Sequence, residues 1–168
     1  MGRLLAMGLC LLVAAGCKLD REDALRDELA GWLSVAEVLE FRSRSTCTGA
    51  VLRLKDAVIS DRLTKATSVE TAVHYLRAGR AVAFVLVDAT PNEVSERIMT
   101  ASLEQGLGLL SNGLGAAKRC LSDRGGMAFY AAIMSPDAVM IYDPGGNSLT
   151  LVHRQSTVPL AIFLRGNV

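Results

Sequence analysis

The chain has 168 residues, a formal net charge of +1 and a hydrophobic fraction of 51%. Of its eighteen bases Arg3 alone stands in the first sixteen residues, where there is no acid, so the remainder holds seventeen bases against seventeen acids. A neutral balance without a basic cluster excludes binding of nucleic acid by phosphate neutralisation. The length suits a single domain with one hydrophobic core.

The first sixteen residues have a three-part layout: Met1-Gly2-Arg3 is a short positive start, residues 4–15 are apolar or small, and Ala14-Ala15-Gly16 offers small residues for cleavage. This is the pattern of a secretory signal peptide. Beyond it the longest apolar run is residues 81–87, against the roughly twenty residues that a spanning helix needs. The stretch Val13-Ala14-Ala15-Gly16-Cys17 resembles the lipobox of bacterial lipoproteins, in which the cysteine sulfur is acylated and the cut falls just before it. The resemblance implies a mature exported domain of residues 17–168, lipidated at Cys17 and meeting the membrane surface through that lipid. Lys18, in place of the Asp that often holds such proteins at the inner membrane, implies the periplasmic face of the outer membrane. An unlipidated chain would be periplasmic or secreted. Cys17 has two other readings, a disulfide partner and a plain thiol.

Cys10 leaves with the leader. In an oxidising compartment Cys47 and Cys120 are then natural disulfide partners, a bridge worth roughly 4 kcal/mol on the chain-entropy model. Two buried free thiols are the other reading. Neither cysteine belongs to a CxxC pair or a metal-spaced set.

Asp20 reads as the N-cap of a helix over residues 21–41, where Leu25, Leu29, Trp32, Ala36 and Leu39 recur at spacings of four and three. Residues 46–54 read as a strand. The polar residues 61–68 lead to a second helix that stops near Gly79. Residues 81–87, apolar without alternation, read as a strand buried on both faces. Pro91 fits the first turn of a third helix.

That third helix runs into Gly106, Gly108, Gly113 and Gly115. Glycine inside a helix costs about 1 kcal/mol relative to alanine, so the helix either breaks there or packs very closely. The run matches neither GxGxxG nor a loop ending in Gly-Lys-Ser/Thr, so nucleotide binding has no support. Residues 128–134, 138–143, 148–154 and 160–165 read as short strands, joined by the turn chemistry of Ser135-Pro136-Asp137 and Pro144-Gly145-Gly146-Asn147. The expected architecture is α+β, with three helices and a mostly antiparallel sheet of about five or six strands.

Chemistry has few candidates. His74, Asp143 and His153 are the first to test for a hydrolytic site assembled from distant residues, but no HxH, HExxH or GxSxG spacing unites them. No cofactor or metal is implied. Residues 143–147 lack the alternating acids of an EF-hand loop and read as a hairpin turn. Arg42, Arg44, Arg53 and Lys55 read as a basic strip near headgroups or as ordinary solubilising charge. The expected function is therefore that of a non-catalytic binding module of the cell envelope, meeting another envelope protein or a ligand. A small periplasmic hydrolase is the alternative.

Overall fold

A computed structural model describes residues 18–154 and 158–166. The expected leader and Cys17, with the stretch that resembles a lipobox, lie outside the described residues. The fold is α+β, built on one seven-stranded sheet in the order β1-β2-β7-β6-β5-β4-β3. The strands are β1 (Leu33–Ser43), β2 (Cys47–Ile59), β3 (Thr64–Ala66), β4 (Val82–Phe84), β5 (Ala138–Asp143), β6 (Ser148–His153) and β7 (Leu160–Gly166). Only β3 and β4 pair in parallel; the other neighbours are antiparallel.

The helices are α1 (Glu22–Ala30), α2 (Val69–Arg77), α3 (Pro91–Ala101), α4 (Leu103–Leu110), α5 (Ala116–Cys120) and α6 (Asp123–Ile133). A π-helical turn, Ser111–Gly115, welds α4 to α5, so the described residues form five helical stretches rather than the expected three, and seven strands rather than five or six.

The sheet is buried on both sides. Met140, Tyr142, Leu149, Leu151, Ile162 and Leu164 face the layer of α2 to α6. Their neighbours of opposite parity, among them Val139, Ile141, Val152, Ala161 and Phe163, face Leu25 and Leu29 of α1. Inner strands covered on both sides need no polar alternation, which is why β5, β6 and β7 read as plain apolar runs between turns. The 143–147 segment is the hairpin turn: the Asp143 carboxylate accepts from the Gly145 N–H at 3.0 Å, and Asn147 takes a left-handed φ of 49°.

Two elements correct the sequence reading. The expected helix over 21–41 ends at Ala30 and becomes strand β1. In β1 the pairing with β2 slips at three places, two of them between Val35 and Glu37 and between Val38 and Glu40. Each slip resets the two-residue alternation. Val35, Val38 and Phe41 therefore all pack against the α1-side core at a spacing of three, which mimics a helix. Asp20 does not cap α1, whose N-cap is Arg21 with no side-chain bond. It pairs instead with Arg165 of β7, whose guanidinium also reaches Glu28 at 2.6 Å and donates to the Gly146 carbonyl at 2.9 Å. Burial lowers the pKa of Arg165, but Glu28 and Asp20 together outweigh it and hold the guanidinium above its ordinary value.

The second correction is residues 128–134, expected as a strand and found in α6. The Ser122 hydroxyl accepts from the Gly125 N–H at 3.1 Å as an N-cap, and Glu40 of β1 takes the Ser122 N–H and hydroxyl, both at 2.6 Å. Phe129, Ala132 and Ile133 then turn inward at helical spacing. The helix is hidden in the sequence because its outer face is apolar too.

Candidate interaction surface

The disulfide Cys47–Cys120 closes a separation of 73 residues and fastens the end of α5 to the start of β2. It fixes one end of the helical stretch 103–120, whose amphipathy is reversed. Facing the protein are Gln105, Gly106 and Leu109 of α4, Asn112 and Gly113 of the π turn, and Ala116, Ala117 and Cys120 of α5. Facing water are Leu103, Leu107, Leu110 and Leu114, at 63%, 54%, 38% and 43% of full exposure.

The glycines explain the reversal, and of the two expected alternatives it is close packing that holds at them, since the helix runs on through Gly106 to Gly115. Ser102, with φ −156°, breaks the helix before α4. Beyond the break the backbone packs too closely for side chains: a Cβ on Gly106 would lie 2.6 Å from Met99 Cα, on Gly108 2.5 Å from the Tyr142 hydroxyl, and on Gly113 2.7 Å from Leu149 Cδ2. Gly115 meets only the guanidinium of Arg119, at 3.8 Å. At these positions glycine is present because nothing larger fits, and four of the five leucines of the stretch are left outside, Leu109 alone being buried. Asn112 hydrogen-bonds Tyr142, whose phenol burial pushes above its ordinary value. The amide oxygens Gln105 Oε1 and Asn112 Oδ1 are buried and have no partner among the described residues.

A second exposed row lies on α6, where Met127, Tyr130 and Met134 stand 67%, 67% and 50% exposed. Leu121 and Ser122 are extended between the two helices, and α5 and α6 wall a groove of about 550 Å³ lined by Ala117, Lys118 and Leu121 on one side and Gly126, Met127 and Tyr130 on the other. Leu114 sits one helical turn before Lys118, so the groove adjoins both rows.

The residues singled out for chemistry stay apart. His74 is exposed on α2, edge-on to the Tyr75 ring at 5.6 Å. Asp143 ends β5 opposite Ser148, the first residue of β6, whereas His153 is the last, opposite Ala138 and Leu160. Five strand residues separate them, roughly 17 Å. Among the described residues no group of His, Cys, Asp and Glu could hold a metal ion. A larger open groove, about 770 Å³, lies beside α2 and α3, but its Glu93 is engaged in capping α3. The backbone N–H of Thr90, then its hydroxyl, hold the Glu93 carboxyl below its ordinary value. In the basic strip Arg53 is paired with Glu37, and Arg42 lies 3.9 Å from Glu40.

No family model, no curated protein and no solved structure matches the chain. The surface therefore has to be read from its own chemistry. The leucine row was open to sequence reasoning, since Leu103, Leu107, Leu110 and Leu114 recur at four, three and four; the glycines interleaved with them drew the reading inward instead. On α6, Tyr130 and Met134 fall within the strand expected over 128–134, and Met127 just before it.

Proposed function

We propose that the protein is a non-catalytic binding module of the bacterial cell envelope, exported by its leader and anchored through a lipid on Cys17 at the periplasmic face of the outer membrane. The observation that carries the binding role is the outward leucine row of α4 and the π turn. Isolated exposed leucines are ordinary on protein surfaces, but a row of four near a groove lined by Met127 and Tyr130 is the kind of apolar patch that marks an interaction site. The sheet core is complete without these side chains, so packing within the chain does not account for them. The alternative, a small periplasmic hydrolase, draws less support, because Asp143 and His153 stand at opposite ends of paired strands. Export and anchoring rest on the lipobox resemblance and the oxidised Cys47–Cys120 pair, which suits an extracytoplasmic compartment.

Two measurements on the full chain, produced with its own leader in a Gram-negative host, test the two halves. Intact mass of the membrane-fraction protein is expected to show a start at Cys17 with added acyl mass; an unacylated soluble chain would overturn the anchor. A photocrosslinking residue placed at Leu107 or Tyr130 is expected to give a discrete adduct that the same residue at His74 or His153 does not give. Equal labelling at all four positions would overturn the binding face.

A further inference from the structure

We propose that the occupant of the leucine row is a second copy of this chain, related by a two-fold axis that crosses the row between Leu107 and Leu110. The inference rests on the binding reading above and specifies its partner.

Three observations carry it. The first is the symmetry of the spacing: four, three, four reads the same in both directions, so a two-fold axis at its centre sets Leu107 opposite Leu110 of the second copy and Leu103 opposite Leu114. An isologous contact needs this self-complementarity, and the spacing is that of an antiparallel helix seam.

The second is charge. Glu104 stands at the start of the row, and Lys118 with Arg119 at its end, about 20 Å further along at 1.5 Å per residue. All three are exposed, and none has an ion-pair partner among the described residues. Antiparallel pairing brings Glu104 of each copy to within side-chain reach of the other's Lys118, twice over, and also opposes the helix dipoles. Parallel pairing would set like charge on like.

The third is size. The four leucines with Met127, Tyr130 and Met134 expose on the order of 600 Å² of mostly apolar surface, at the upper end of the largest patch on an ordinary monomer and approaching the roughly 800 Å² that each partner gives to a standard interface.

The test uses the full chain in the envelope of the producing cells. The double variant Leu107→Cys/Leu110→Cys is expected to form a disulfide-linked species of twice the chain mass on mild oxidation, and His74→Cys is not. In the double-cysteine background, Glu104→Lys and Lys118→Glu are each expected to lower the linked fraction about fivefold, and the two together to restore it. These positions are all exposed, so the variants leave the core intact. Linkage no greater than at His74, or an adduct with a different protein, would overturn the second copy; the different protein would still leave the row as a binding face. A lipid surface as occupant would bind Glu104→Lys more tightly, and the paired charge swap would not restore linkage. Linkage that ignores the charge changes would overturn the antiparallel register.

Discussion

Helix α2 and the stretch 103–120 lie on the same side of one sheet and solve the same packing problem in opposite ways. Helix α2 is conventionally amphipathic, with Val69, Ala72, Val73 and Leu76 inward and Glu70, His74 and Arg77 outward. The stretch 103–120 turns glycines, amides, alanines and Leu109 inward and its other four leucines outward. The first is held by the apolar area it buries, the second by closeness of backbone and by a covalent staple. The contrast shows that burial alone does not fix which residues face in. Where the backbone must approach the sheet closely, small residues take the inside and large apolar ones are left at the surface.

If the staple carries the reversed helix, removing it should be the largest single loss. Cys47→Ala/Cys120→Ala is expected to cost about 4 kcal/mol in denaturant unfolding, the chain-entropy value for its loop, with protection lost first over residues 103–120 in hydrogen exchange. In the conventional helix the matching change is Leu76→Ala, which leaves a cavity at a fully buried site. A loss of about 3 kcal/mol is expected there, with α5 still protected.

The glycines give the next effect. Gly106→Ala drives a Cβ against the α3 backbone and is expected to cost about 2 kcal/mol, although the same change usually stabilises an exposed helix. Thermal unfolding of this variant beside Gly126→Ala, where a Cβ meets nothing within 4 Å, separates close packing from helix propensity. Leu107→Ser/Leu110→Ser, by contrast, should change stability by less than about 0.5 kcal/mol while abolishing the photocrosslinked adduct.

The smallest effect is alkaline. Burial, with Asp143 adding to it against the opposing bond from Asn112, raises the Tyr142 pKa in the fold above its ordinary value of 10.0. A raised folded pKa means that the contribution is whole below pH 10 and is lost as pH climbs through the folded value. Stability should therefore fall above pH 10, and Tyr142→Phe should flatten that part of the curve.

The same contrast explains what the sequence disclosed. Strands β5, β6 and β7 were legible within a residue at each end because turn chemistry at 144–147 brackets runs buried on both faces. Helix α2 was legible from Gly79, which takes a φ of 71° just past its end. The expected pairing of Cys47 with Cys120 is present. Strand β1 was lost because its slips against β2 give Val35, Val38 and Phe41 a helical spacing, and β3 because it is three residues within a polar segment. Helix α6 was lost because Met127, Tyr130 and Met134 fill the face where polar residues would have revealed the period. The positions that defeat pattern reading in α6 are therefore those assigned to binding. His74, Asp143 and His153 attracted attention through residue type, but their placement on a helix surface and at opposite ends of two paired strands is decided by topology.

If the outward leucines form a binding face, they are covered when the protein is at work. Hydroxyl-radical footprinting of the full chain in the envelope, against the same chain purified and diluted, measures this directly. Val58 and Val87, 68% and 86% exposed and away from the row, serve as internal references. Oxidation of Leu103, Leu107, Leu110 and Met127 is expected to be several-fold lower in the envelope, with the two valines unchanged. Equal oxidation of all six in both states would contradict it.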